Sequence, residues 1–179
     1  MSDIEVIDNF LSKADHDQLT SELLGVEFPW YYQGTKIAGI DSMALVEPSQ
    51  RAVDMGYGFH DFQFTHQVYR EHSWQSNFGD IFAPLLVKIA PVSWVRVKAN
   101  MTLQAQDVAT IGFHNDNPSD LVKASIYYLN STDGGTVFQS GDRVECVANR
   151  LVTFKANEMH SAETFTNARV RCVVNMNYI

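Results

Sequence analysis

Little in this sequence could hold a fold together covalently. Its 179 residues include two cysteines, Cys146 and Cys172, and neither lies in a C-x-x-C motif. A pair of cysteines in a chain of this length makes no disulfide framework, so both are expected as buried thiols. No apolar run approaches the roughly 18 residues that a membrane-spanning helix requires. Clustered lysine and arginine are also lacking, and the net charge is −8. That balance opposes a phosphate backbone, so no nucleic-acid partner is expected. The opening residues, MSDIEVIDNF, have no basic region followed by an apolar core. No signal peptide and no membrane partner are therefore expected, which points to a cytoplasmic location. Repeats, low-complexity tracts and linkers are missing as well.

What is present reads as one globular domain. Hydrophobic residues make up 45% of the chain and charged residues 19%, the balance of a chain that buries a core. A domain of this length hides roughly 70% of its unfolded surface without help from disulfides. The expected organisation is a single domain over 1–179, with helical support and outer strands over 1–90 and a β core over 91–179. Ser12 and Asp15 form a capping-box pattern, and Leu19, Leu23 and Leu24 follow at helical spacing before Gly25. These predict a helix over about 13–24. Phe78, Ile81, Phe82, Leu85, Leu86 and Ile89 make a second apolar stripe, suited to packing on a sheet. Pro84 interrupts it, so that helix either bends or begins late.

From Trp94 the period changes to two. Val95, Val97, Ala99, Met101 and Leu103 alternate with Arg96, Lys98, Asn100 and Thr102, as in a strand with one apolar and one polar face. Further strands are expected over Ala124–Asn130, Thr136–Gln139, Val144–Val147, Arg150–Phe154 and Arg169–Tyr178. Asp133-Gly134-Gly135 reads as a tight turn requiring positive φ. Short strands at this spacing imply a sandwich or jelly roll, mainly β with flanking helices.

The chemistry concentrates in few residues. Of six histidines (His16, His60, His66, His72, His114 and His160), only His114 opens an H-x-D pattern, with Asp116. Strand parity would point both side chains the same way. Imidazole with carboxylate suits Fe(II), Zn(II) or Mn(II) better than Mg(II) or Ca(II). His160, 46 residues later, can supply a third ligand. Two histidines and one carboxylate leave three positions open on an octahedral ion, the set used by non-haem Fe(II) oxygenases. A 2-oxo acid co-substrate also needs a cation for its far carboxylate, and an arginine fork fits one best. Arg169 and Arg171 follow His160 by 9 and 11 residues.

These pieces occur in order with others: His114-Asn-Asp116-Asn-Pro118, Ile126-Tyr-Tyr-Leu-Asn130, Gly134-Gly-Thr-Val-Phe138, Asn149-Arg-Leu-Val-Thr-Phe154, His160, and Arg171-Cys-Val-Val-Asn175. From about Arg96 to Tyr178 the chain resembles the Fe(II)/2-oxoglutarate-dependent dioxygenases, on their prolyl-4-hydroxylase-like side. The resemblance implies a double-stranded β-helix (jelly-roll) barrel buttressed by the N-terminal helices. It implies His114, Asp116 and His160 as iron ligands, and Arg171 or Arg169 as partner of the 2-oxoglutarate C5 carboxylate. Tyr128 would hydrogen-bond the co-substrate, with Asn100 a further candidate for that pocket. No catalytic residue beyond the metal site is implied. The implied reaction consumes O2 and 2-oxoglutarate, hydroxylates a C–H bond of a peptidyl or small-molecule substrate, and releases succinate and CO2. An oxidative demethylase with the same cofactors, a Zn or Mn cupin-like enzyme, and a non-catalytic jelly-roll binding protein are the rival readings. No nucleotide-recognition lid of the demethylase kind is visible, and Asp116 disfavours the halide-binding variant that lacks the carboxylate.

Overall fold

The computed structural model describes residues 3–34 and 62–179. Helix α1 spans Lys13–Leu23 and is capped by Ser12, whose Oγ accepts from the Asp15 amide at 3.2 Å. The expected box closes differently, because the Asp15 carboxylate accepts from Ser12 Oγ at 2.6 Å instead of reaching back to the cap amide. The second apolar stripe is divided. Gly79–Phe82 forms a 3-10 turn, and α2 begins only at Ala83 and runs to Ile89. Pro84 falls in the first turn of α2, where its missing N–H would have had no helical acceptor.

Eleven strands are described: β1 Glu5–Ile7, β2 Tyr31–Gln33, β3 Gln63–Arg70, β4 Ser73–Trp74, β5 Trp94–Leu103, β6 Lys123–Tyr128, β7 Gly135–Phe138, β8 Arg143–Glu145, β9 Arg150–Lys155, β10 His160–Ala162 and β11 Val170–Tyr178. The strand expected from Trp94 matches its predicted bounds, and the later ones shift by a residue or two. Strands β1 to β4 and β10 had no individual sequence signal. Arg169 lies in a bend ahead of β11, so strand parity does not tie it to Arg171.

The strands form two sheets. The larger is antiparallel in the order β1-β9-β6-β11-β5-β3-β2, with β4 added to β3; the smaller is β10-β7-β8. One face of the large sheet packs on the helices through Leu19, Leu23, Phe82 and Leu85 against Val97, Tyr127, Val174 and Met176. Burying each such large side chain contributes roughly 1.5–3 kcal/mol. The other face packs on the small sheet through Ile126, Tyr128, Val152 and Phe154 against Phe138 and Val144. The architecture is therefore mainly β with flanking helices, in three layers. Among the described residues no strand pairs across the two sheets, so they face each other without closing edge to edge.

Gly134 and Gly135 are required for a reason other than the one expected. Among the described glycines only Gly141 has positive φ. A Cβ on Gly134 would lie 2.4 Å from the Thr164 carbonyl oxygen, and one on Gly135 would lie 2.5 Å from that of Val144. Close approach of neighbouring backbone, rather than turn conformation, excludes a side chain at both. Cys146 and Cys172 are free and buried.

Candidate metal and co-substrate site

His114 and His160 are brought together by the backbone. Each donates its amide to the other's carbonyl at 2.9 Å, an isolated antiparallel bridge between the 110–114 loop and β10. Asp116 is held next to it by its amide, which donates to Ala156 O at 2.9 Å. A bridge of this kind, rather than the regular strand expected, turns the H-x-D pair inward. One ligand atom from each of His114, Asp116 and His160 lies within 4.8 Å of the others.

Two of the three ligands, His160 and Asp116, have side chains oriented by hydrogen-bond partners. His160 Nδ1 meets the Glu158 carbonyl at 3.0 Å, which leaves Nε2 for the site, and the Phe154 ring packs at 4.7 Å centroid separation. Such outer contacts fix the tautomer and the ring plane of a ligating imidazole. Asp116 accepts from Arg96 at 2.7 Å and from Asn177 at 3.1 Å. Burial alone would raise its pKa, but Arg96, His160 and Asn177 outweigh it and hold the carboxyl at about 2. Burial, then the neighbouring His160, pushes His114 down to about 4. An ionised carboxylate and a neutral imidazole are the forms that bind metal.

The remaining histidines go elsewhere. His66 uses both ring nitrogens, on Pro29 O and Ser76 Oγ. His16 bonds the Tyr127 hydroxyl at 2.7 Å. His72 is exposed, and His60 lies outside the described residues.

A cavity of about 270 Å³ joins the three ligands to Arg171. Arg171 is buried, and its Nη atoms are 3.4 Å from Thr136 Oγ1 and the Glu163 carbonyl oxygen. No carboxylate pairs with it among the described residues, and its Nε has no partner. Arg169 is exposed and off the cavity wall. Tyr128 is fully buried one layer behind the wall. Its hydroxyl bonds Thr136 Oγ1 at 2.7 Å, and Arg171 lies over its ring at 5.5 Å. Asn100 lines the cavity.

Seven buried side-chain polar atoms lack a partner among the described residues. Five line this cavity: Arg96 Nε, Asn100 Oδ1, His114 Nδ1, Arg171 Nε and Asn175 Oδ1. Native proteins rarely leave such atoms unmet. Their concentration here, around two imidazoles, a carboxylate and an Arg171 guanidinium with no carboxylate partner, fits a metal ion together with an anionic, oxygen-rich ligand. The sequence reading missed Arg96, Asn177 and Thr136. The signal for the first two was parity, since Arg96 shares the polar face of β5 with Asn100, and Asn177 shares a face of β11 with Arg171.

No protein-family model matches the sequence, and no curated protein matches it. Solved structures do match in fold. The epimerase SnoN in complex with Fe3+, alpha ketoglutarate and nogalamycin RO superposes with a TM-score of 0.65 at 12% identity, over 99% of this chain and 79% of that one. A prolyl hydroxylase from Trichoplax adhaerens, in complex with a hypoxia inducible factor peptide fragment, gives 0.63 at 11%, over 99% and 84%. A Pseudomonas putida prolyl-4-hydroxylase gives 0.57 at 13%, over 99% and 92%. The chain has the fold of the Fe(II)/2-oxoglutarate oxygenases. Within that fold the described elements run from β1 to β11, and the candidate ligands sit on the small sheet and its flanking loop.

Proposed function

We propose that this chain is a single-domain, Fe(II)- and 2-oxoglutarate-dependent oxygenase that hydroxylates a C–H bond of a small-molecule or peptidyl substrate. The observation that carries the reading is one cavity joining His114, Asp116 and His160 to a buried guanidinium with no carboxylate of its own. The two facing sheets correspond, in this reading, to the double-stranded β-helix of the fold.

His114, Asp116 and His160 would hold the ion, two imidazoles and one carboxylate being a donor set suited to Fe(II). The bound metal, with 2-oxoglutarate and O2, supplies the oxidising chemistry, giving succinate and CO2 alongside oxidised product. Arg171 receives the far carboxylate of the co-substrate through its fork, and Thr136 and Tyr128 keep that fork in place. Arg96 and Asn177 hold the Asp116 carboxylate ionised and oriented. The buried walls from Ile126 and Val173 exclude water.

A wider groove adjoins the cavity, and two arginines bordering it are matched by carboxylates, Arg96 by Asp116 and Arg70 by Glu71. This is unlike a basic track for nucleic acid and disfavours the nucleobase-demethylase alternative. Among the described residues no helix is long and apolar enough to cross a membrane.

The test is anaerobic addition of Fe(II) and 2-oxoglutarate, followed by oxygen. A weak visible charge-transfer band and conversion of 2-oxoglutarate to succinate are expected from the native chain, and neither from His114→Ala. Absence of both in the native chain, or equal turnover in the variant, rejects the reading. Because a fold neighbour is an epimerase, mass spectrometry for a +16 Da product decides the hydroxylation step separately.

A further inference from the structure

Among the described residues, Lys98 is the one cavity cation that the proposed function leaves without a task. It stands on the polar face of β5, opposite Asn175 of β11 in the strand register. It lines the metal cavity and, with Arg96 and Asp116, also lines a wider groove of about 870 Å³ that leads to exposed Arg70, Glu71 and His72. Lys98 thus stands where the inner cavity meets the open groove, while Arg171 borders only the cavity side of that junction. Among the described residues its ammonium has no hydrogen bond and no ion pair. The neighbouring cations are taken, Arg96 by Asp116 at 2.7 Å and Arg70 by Glu71 at 3.1 Å. Asn175, across from it, presents a buried Oδ1 with no donor.

Charge leads to the same place. A divalent ion and a dianionic co-substrate cancel each other, and Asp116 offsets Arg96. The filled cavity still carries net positive charge, and Lys98 is the part of it that faces the groove. A buried charge left unpaired is costly, and an anion that enters with the right geometry removes that cost.

We propose that Lys98 binds an anionic group, a carboxylate or a phosphate, on a small-molecule primary substrate, and so selects and orients that substrate beside the metal. This rests on the proposed function and adds the substrate class to it. Burial, reinforced by Arg96, brings the Lys98 ammonium down to about 8. It remains largely protonated near neutral pH, and a bound anion would favour the charged form further.

The experiment is thermal unfolding of the full chain, loaded anaerobically with Fe(II) and saturating 2-oxoglutarate, at constant ionic strength. The added probes are acetate, inorganic phosphate and, as the neutral control, acetamide. Acetate or phosphate at about ten times its Kd is expected to raise the Tm by about 3–6 °C, while acetamide does not. A larger shift with acetate assigns a carboxylate, and a larger shift with phosphate assigns a phosphoryl group. The anion shift is expected to vanish in Lys98→Met and to persist in Lys98→Arg, which keeps the charge. No anion shift in the native chain, or an equal one in Lys98→Met, overturns the inference while leaving the proposed function intact. Loss of the response to 2-oxoglutarate itself in Lys98→Met would make Lys98 a co-substrate ligand and also overturn it. If neither Fe(II) nor 2-oxoglutarate stabilises the native chain, the proposed function fails first and takes this inference with it.

Discussion

Along β5, Val97 and Ala99 are wholly buried against the helices, while Arg96, Lys98, Asn100 and Thr102 line the cavity on the opposite side. β11 divides in the same way. Cys172, Val174 and Met176 join the helix-backed core, and Arg171, Val173 and Asn175 turn to the cavity. The two faces are one backbone thick and chemically opposite. The helix-backed face is apolar and densely filled. The cavity face holds most of the unpartnered polar atoms among the described residues. A two-residue period therefore separates the groups that keep the sheet folded from those that give it something to do. Substitutions on one face should report mainly on stability, and those on the other mainly on ligands.

The largest expected effect is on the packed face. Met176→Ala should lower folding stability by about 2–5 kcal/mol, measured by denaturant unfolding, with 2-oxoglutarate affinity little changed in the protein that remains folded. If the affinity fell in parallel, the two faces would not be separable. On the cavity face, Arg171→Met should weaken 2-oxoglutarate binding by about a hundredfold, since hydrogen bonds to charged groups contribute roughly 1.5–3 kcal/mol each. Its unfolding midpoint without ligand should stay level or rise, because an unpaired buried guanidinium has been removed. Calorimetric titration and denaturation read the two quantities on the same sample.

A subtler effect concerns pH. The His114 pKa is lowered from its ordinary 6.5 to about 4 in the folded chain, so folding favours its neutral form. That contribution to stability is fully present above 6.5 and is lost as the pH falls through about 4. The metal-free protein should therefore lose stability over this window, and His114→Gln should flatten the slope of unfolding free energy against pH there. An unchanged slope would show that the burial of His114 plays no part. The smallest effect is expected at Arg169→Ala. This exposed position should alter stability by no more than about 0.5 kcal/mol and leave 2-oxoglutarate affinity as it was. A large loss of affinity would return the carboxylate anchor to Arg169.

The sequence was most legible where a period persisted. Nine alternating residues after Trp94 placed β5 at its observed bounds, and the Ser12 pattern placed α1 within a residue of its end. Short pieces were not legible. β10 is three residues long and β4 is two, and no periodicity can be counted over that length. Their pairing comes from tertiary placement instead. The three metal-ligand candidates were legible through residue type and order, and the structure brings them into one cluster. The partners that orient them were not, because Arg96, Asn177 and the Ala156 carbonyl come from segments remote in sequence from His114 and Asp116. Parity did separate the faces of β5, but it gave no way to tell a polar face lining a cavity from one facing water. Spacing from His160 could not choose between Arg169 and Arg171; the strand starts only at Val170, which leaves Arg169 outside it.

The reciprocal bridge between His114 and His160 bears on how the site would assemble. Two backbone hydrogen bonds clip together segments far apart in the chain, and no ion is needed to make them. A ligand cage closed in advance loses little conformational freedom when it fills. Hydrogen–deuterium exchange offers a direct view of this. In the empty protein the amides of His114 and His160 should exchange slowly and at matching rates, because one opening event would expose both. Filling the site should then slow them together, so that two backbone amides would count the occupancy of the proposed metal site.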